Sequence, residues 1–170
     1  MRFFILNKKY SLYMLIKLKQ YILLHILCIV GFLQVGAQDR RYYFETLDIH
    51  KGLSQNTVNT VIQDHFGFMW FGTKDGVNRY DGLDFRVFKQ KIGDKNGLKS
   101  NFINVLFEDR DHIIWVGTDA GLYLYNPQKE SFTAFEYRTA DGTVIDKSIT
   151  VIYGDQKGGV WIAVDEQGLF

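Results

Sequence analysis

The acidic side chains that could carry catalysis recur at a fixed interval. Asp64, Asp109 and Asp155 are separated by 45 and 46 residues. A pair of carboxylates can perform acid–base catalysis, as in glycosidases, but such a pair is placed in one site. Because one Asp occurs in every copy of a repeat, we predict instead that each forms hydrogen bonds within a turn.

The histidines and the acidic turn lack the spacing of a metal site. His50, His65 and His112 lie on different segments, which favours turn or surface positions over zinc ligation. Residues 109–111 (DRD) begin like a calcium loop but lack the following Gly and the distal Glu of a complete one. We therefore predict no metal ion, no cofactor and no catalytic residue, and we assign no ligand-binding residue.

A nucleotide site is not predicted either. Residues 67–74 end in Gly-Thr-Lys, whereas a phosphate-binding loop ends in Gly-Lys-Ser or Gly-Lys-Thr. The interior of this stretch contains Trp70 and has the composition of a strand. The sequence also contains no G-x-S-x-G, C-x-x-C or H-E-x-x-H motif.

These residues lie in a unit that occurs three times. Residues 101–126 are NFINVLFEDRDHIIWVGTDAGLYLYN, and similar runs begin at Asn56 and near Ser148. The Trp of this run, Trp115, has counterparts 45 residues earlier and 46 residues later. A period of about 40–50 residues with aromatic and Gly markers is typical of propeller blades and other repeat arrays.

The second copy divides into four short strands joined by turns. The predicted strands are residues 102–108, 113–118, 122–126 and 131–137. The second of them is a continuous apolar run, which indicates a strand covered on both faces. A helical solenoid is disfavoured because no segment shows helical periodicity. The predicted fold class is all-β, with about two and a half four-stranded antiparallel blades of an incomplete β-propeller.

Each Trp is followed two residues later by a small residue: Gly72, Gly117 and Ala163. We expect the Trp to fill the space between adjacent blades. The small residue should allow a neighbouring side chain or backbone to approach closely. His112 stands where the other copies have Gly, so a positive φ is expected there.

The first 37 residues have a different composition from the rest. They hold five basic residues and no acidic one, and an apolar run at 21–33 precedes Val35-Gly36-Ala37. This order predicts a secretory signal peptide cleaved after Ala37, with an uncleaved anchor as the alternative. The remaining residues hold 15 Lys and Arg against 19 Asp and Glu, which argues against nucleic-acid binding. The single cysteine, Cys28, leaves no disulfide for the body.

The repeated unit has the pattern N-x-[VI]-x-x-[VIL]-x-x-D-x-x-G-x-[ILM]-W-[VF]-G-T-x-x-G-[LV]-x-x-[YF]-[DN]. This pattern resembles the two-component regulator propeller repeat. Residues 47–56 (LDIHKGLSQN) resemble the start of that family's propellers, and the resemblance covers roughly residues 42–170. It implies a periplasmic sensor region of a hybrid two-component system, a type abundant in gut Bacteroidetes that responds to polysaccharide breakdown products. It further implies an oligosaccharide ligand, a parent anchored in the inner membrane, and a possible homodimer.

The predicted organisation has five parts. They are a signal peptide (1–37), a lead-in strand (38–53), blades at 54–98 and 99–147, and a partial blade at 148–170. The family's kinase domain is not among these residues, so we interpret the chain as a fragment of a sensor and expect no enzymatic activity from it.

Two other functions are consistent with the pattern. An exported enzyme or carbohydrate-binding module would need a side-chain cluster unique to one blade, and a purely structural propeller would need none. The inter-blade loops 90–99 and 138–147 differ between copies and are the expected place for specificity. Tyr42, Tyr43 and Tyr137 could stack on sugar rings, but packing in the core or between blades is the favoured interpretation.

The blade count predicts self-association. Propellers close with about four to eight blades, so two and a half blades leave two apolar blade faces uncovered. We expect the mature chain to associate or aggregate through these faces, as measured by sedimentation velocity. A stable monomer with a sharp thermal transition would contradict this expectation.

Overall fold

The computed structural model describes residues 2–33, 42–94, 97–138, 142 and 144–170, and it divides into two units, Met1–Glu45 and Thr46–Phe170. The first unit contains helix α1, Arg2–Leu33. Within the described part of the chain, no helix has both the length and the hydropathy needed to cross a membrane. The expected cleavage point after Ala37 falls outside the described residues, so the signal peptide stays a prediction.

The second unit begins with a turn and not with the expected lead-in strand. Residues 42–48 contain no strand, and a 3-10 helix follows at Ile49–Lys51. Asp48 caps this helix by accepting a hydrogen bond from the backbone N–H of His50 at 3.0 Å. Gly52 ends it with a φ of 102°. An Asp cap and a Gly with positive φ favour a turn over an extended strand, which explains the error. Residues 38–41 lie outside the described part.

Eleven strands in the described residues form three antiparallel sheets. The first sheet, called the first blade, contains β1 Val58–Gln63, β2 Met69–Thr73, β3 Gly76–Tyr80 and β4 Phe85–Phe88. The second blade contains β5 Ile103–Glu108, β6 Ile114–Thr118, β7 Gly121–Asn126 and β8 Ser131–Ala134. The third blade contains β9 Ile149–Gly154, β10 Val160–Val164 and β11 Gly168–Leu169. Strand order follows chain order within each sheet, and the predicted all-β fold of blade-like sheets is confirmed.

Alternate residues of each blade's first strand face the preceding and the following blade. Leu106 and Ile152 are buried in the two cores that join consecutive blades, whereas their counterpart in the first blade, Val61, is 52% exposed. On the opposite face, Val105 packs against the third blade, and its counterpart Val151 is 52% exposed. The blades are therefore stacked in series, and each one covers an apolar face of the one before it.

The burial of the three Trp residues follows from this stacking. Trp70 is 1% exposed, and its ring lies 4.8 Å from that of Tyr125 in the second blade. Trp115 is half-buried and packs on the core shared by the second and third blades. Trp161 is 47% exposed, because no later blade covers it in this chain. The expectation that Trp fills the inter-blade space is confirmed where a following blade is present.

The Gly two residues after each of the first two Trp residues makes room for an Ile from the next blade. A Cβ at Gly72 would lie 2.6 Å from Cγ2 of Ile103, and a Cβ at Gly117 would lie 2.7 Å from Cγ2 of Ile149. Both Ile side chains are fully buried at the start of the following blade. The predicted close approach is therefore made by a side chain, and even one added methyl group has no free space there.

Gly117→Ala should destabilise the fold by about 1–3 kcal/mol, because the new methyl group must displace Val105 and Ile149. The matched control is Ala163→Val at the equivalent position of the third blade, where no later blade packs. It should cost less than about 1 kcal/mol. Urea unfolding followed by Trp fluorescence measures both changes, and equal losses would contradict the packing argument.

Candidate functional site

One Asp and one Trp form a hydrogen-bonded pair in each blade, which we call the Asp–Trp clamp. In the second blade, Oδ1 of Asp109 accepts hydrogen bonds from the backbone N–H groups of Asp111 and Ile113, each at 2.9 Å. Its Oδ2 accepts one from Nε1 of Trp115 at 2.6 Å. The indole contact measures 2.7 Å in the first blade and 3.2 Å in the third.

The clamp confirms the predicted turn role of the three Asp residues and adds a partner that the sequence did not reveal. Each carboxylate accepts from two backbone groups and one indole, so it both shapes the β-turn and orients the Trp that packs between blades. In the third blade, the backbone N–H groups of Gly159 and Lys157, together with the indole of Trp161, lower the pKa of Asp155.

Three side chains from the β1–β2 and β5–β6 hairpins meet at the junction of the first two blades. His65 lies in the turn after β1, Glu108 ends β5, and His112 lies in the turn after β5. Nδ1 of His65 is 2.5 Å from Oε1 of Glu108, and Nδ1 of His112 is 3.4 Å from the same oxygen. The two imidazole rings stack with their centroids 3.9 Å apart. We call these three residues the His–Glu cluster.

Sequence reasoning placed His65 and His112 in turns, which is confirmed, but it treated their separation along the chain as separation in space, which is wrong. Equivalent turns of consecutive blades lie side by side, so residues about one repeat apart become neighbours. The sequence does contain a signal for the cluster: each of its three residues is unique to one copy of the repeat. A position-by-position comparison of the copies therefore singles them out. His50 lies apart from them in sequence, in the exposed 3-10 helix.

A groove of about 300 Å³ opens next to the His–Glu cluster, between the first and second blades. Both histidines of the cluster line it, together with aromatic residues from each blade and one cation. These further lining residues include Phe66, Phe68, Trp70, Tyr125 and Arg79. The groove therefore combines apolar ring faces with a few polar groups, as small-molecule sites do.

Arg79 connects the groove to the second blade. Its Nη1 donates a hydrogen bond to the Tyr125 hydroxyl at 3.1 Å, and its guanidinium lies 4.8 Å from the centre of the Phe68 ring. Its Nη2 lies 3.5 Å from a carboxylate oxygen of Glu130. Burial raises the pKa of the Tyr125 hydroxyl, while the positive charge of Arg79 opposes that effect. Tyr125 is thus a neutral hydrogen-bonding group at neutral pH.

The other sequence candidates do not join this groove. Tyr42, Tyr43 and Tyr137 are 73%, 87% and 48% exposed, so the favoured interpretation that they pack in a core is wrong. Tyr42 and Tyr43 precede the first repeat, and Tyr137 follows β8. The near match to a phosphate-binding loop is the continuous strand β2 and the turn after it. Parts of both inter-blade loops, residues 95–96, 139–141 and 143, lie outside the described residues.

Comparison with known proteins identifies the repeats. Residues 52–75 and 97–120 match the family model described as the two-component regulator propeller. The family model thus matches one stretch in each of the first two blades. The resemblance inferred from the sequence is thereby confirmed, and the two matched stretches contain the Asp–Trp clamps of the first and second blades.

Solved structures and a curated relative agree with the family. The chain resembles the extracellular domain of a hybrid two-component system from B. thetaiotaomicron, with a TM-score of 0.67 and 29% identity over 76% of this chain and 18% of the other. A second such domain from that organism has a TM-score of 0.62 and 26% identity, over 77% of this chain and 18% of the other. Histidine kinase P4 of Formosa agariphila is 34% identical over 62 residues, which is 36% of this chain and 4% of that protein.

The propeller repeats of this chain thus span less than a fifth of the length of each of these relatives. The two structural relatives are extracellular domains of two-component systems, and the curated relative is a histidine kinase.

The clamp of the third blade should make stability depend on pH in the acid range. The folded-state pKa of Asp155 is lowered, so its contribution is present above the ordinary carboxyl pKa and is lost as pH falls through the lowered value. Asp155→Asn should remove this part of the acid dependence. A ¹³C-carboxyl NMR titration checks the sign, and a folded-state pKa at or above about 3.9 would contradict it.

Proposed function

We propose that this chain forms part of the periplasmic ligand-sensing propeller of a hybrid two-component sensor. The observation that supports this most directly is the likeness of about three quarters of the chain to extracellular domains of such systems, at 29% and 26% identity. In this proposal the propeller binds a ligand, and a histidine kinase elsewhere in the parent protein transmits the signal. The parent is anchored in the inner membrane and acts as a homodimer.

The ligand proposed is an oligosaccharide released from a polysaccharide. The groove between the first two blades supports a ring-shaped polar ligand, because partly exposed Phe66 and Phe68 offer aromatic faces and Arg79 offers hydrogen-bond donors. Its volume of about 300 Å³ is at the lower end of the range of small-ligand pockets. A groove of this size accommodates one or two sugar rings, and the loops between blades would contact the rest of the ligand.

We assign the chain a binding role and no catalytic one. The Asp that recurs in each blade is held by three donors in its own turn, which suits a structural acceptor better than a proton donor to a substrate. The acidic balance of the repeats supports a ligand other than nucleic acid.

The test uses the native protein that carries these repeats, recovered from membranes of its source with an antibody to the blades. We expect a polypeptide much longer than 170 residues whose autophosphorylation changes when one member of an oligosaccharide panel is added. A protein that cleaves the oligosaccharide, or one whose phosphorylation responds to none of the panel, would overturn the proposal.

A substitution in the native protein tests the groove. Arg79→Leu introduces the residue that the second blade has at the equivalent position, Leu124. It should weaken oligosaccharide binding about tenfold or more, the effect of a lost charge-assisted hydrogen bond. Arg86→Leu is the control, because Arg86 also pairs with Glu130 but does not line this groove. Equal losses in both variants would exclude a specific role for the groove.

A further inference from the structure

We propose that the His–Glu cluster binds a divalent transition-metal ion of the Zn²⁺ class, and that this ion joins the first blade to the second. The three ligands would be His65 from the first blade and Glu108 and His112 from the second. Two of these ligands, His65 and His112, also line the groove proposed for the oligosaccharide, but the metal site is argued from the three side chains alone and does not depend on oligosaccharide binding.

The three cluster residues are not needed to form a blade. The other copies have Arg110 and Gln156 in place of His65, Gln63 and Gly154 in place of Glu108, and Gly67 and Gly158 in place of His112. The third blade has none of the three and still forms its first three strands and the Asp–Trp clamp. Their convergence on one point is therefore specific to this junction and has no explanation in the repeat.

The ligand atoms already lie close together. One potential donor atom from each of the three side chains lies within 4.8 Å of the other two. Zn²⁺ holds nitrogen and oxygen ligands at about 2.0–2.2 Å, so two ligands of a tetrahedral ion lie about 3.4 Å apart. The separation of His112 Nδ1 from Glu108 Oε1 is 3.4 Å. The contact of 2.5 Å between His65 Nδ1 and Glu108 Oε1 would have to open by about 1 Å, which small side-chain rotations allow.

The backbone at His112 indicates that the imidazole has a role of its own. Its φ is 63°, in the left-handed region, where the first and third blades have Gly at 92°. A residue with a Cβ is less stable there than Gly, although His is among the types that tolerate it. Backbone strain of this kind concentrates at functional positions. A His at this turn position costs stability and provides a ring nitrogen next to Glu108.

The nature and the accessibility of the donors define the kind of ion. Two imidazole nitrogens and one carboxylate oxygen suit Zn²⁺, Co²⁺, Ni²⁺ or Cu²⁺, whereas Ca²⁺ and Mg²⁺ prefer oxygen ligands throughout. The side chains of His65, Glu108 and His112 are 30%, 16% and 57% exposed, so an ion can enter and water can complete its coordination. Glu108 also accepts a hydrogen bond from the backbone N–H of His65 at 3.1 Å, which fixes its carboxylate at the junction.

The test is a titration of the 170-residue chain, purified without a polyhistidine tag, with ZnCl₂ and with CoCl₂. Calorimetry measures Zn²⁺ binding, and visible absorption of Co²⁺ reports nitrogen ligation and coordination geometry. We expect one ion per chain and an increase in the urea unfolding midpoint, because an ion held only by the folded state stabilises it. Size-exclusion chromatography of each sample distinguishes an ion bound within one chain from one shared between chains.

The variants His65→Gln, Glu108→Gln and His112→Gly should each weaken Zn²⁺ binding by about tenfold or more. His112→Gly is the most informative, because it introduces the residue of the other copies and should leave the metal-free midpoint unchanged or higher. His25→Gln and His50→Gln are controls for adventitious binding and should have no effect. The proposal is overturned if Zn²⁺ does not bind, if it binds only between chains, or if His112→Gly binds it as tightly as the unsubstituted chain.

Discussion

The contact between consecutive blades is the interaction on which the rest of the structure depends. A single blade is a small antiparallel sheet with two apolar faces, and such a sheet is stable only when at least one face is covered. Trp70 and Ile103 meet in the core shared by the first two blades, and Ile149 lies in the core shared by the second and third. Gly72 and Gly117, two residues after the first two Trp residues, provide the space for these Ile side chains. The groove and the His–Glu cluster both lie at the junction of the first and second blades.

The Asp–Trp clamp connects hydrogen bonding inside a blade to packing between blades. Asp109 satisfies backbone donors of its turn and the indole nitrogen of Trp115 with the same carboxylate. A buried indole needs an acceptor for its N–H, and the turn supplies one without any residue from the neighbouring blade. The ring can therefore present an apolar face to whatever blade follows. This arrangement explains why Asp and Trp recur six residues apart in every copy while the residues around them vary.

Features that are local to one blade and recur in the others could be predicted from the sequence, because they depend on residues close together along the chain. The strand run ending at Glu108, the Asp109 turn and the positive φ at His112 belong to this class. The meeting of His65 with Glu108 and His112 could not be predicted in the same way, because it depends on how one sheet is placed against the next. The 3-10 helix before Gly52 was missed because the Asp48 cap outweighs the β-propensity of the residues before it. The exposure of Tyr42 and Tyr43 shows that aromatic composition alone does not place a residue in a core.

Strand order in each sheet follows chain order, and this has a consequence for how the protein reaches its folded state. Neighbouring strands are joined by turns of a few residues, so pairing within a blade requires closure of only short loops and loses little chain entropy. Contacts between blades join residues about one repeat apart, such as Asn59 and Ile103. Such a chain has mostly local contacts and can acquire structure progressively from its N-terminal side as it emerges. Each newly paired sheet then exposes an apolar surface until the next 45 or so residues arrive, so the rate of emergence determines how long that surface stays open to misassociation.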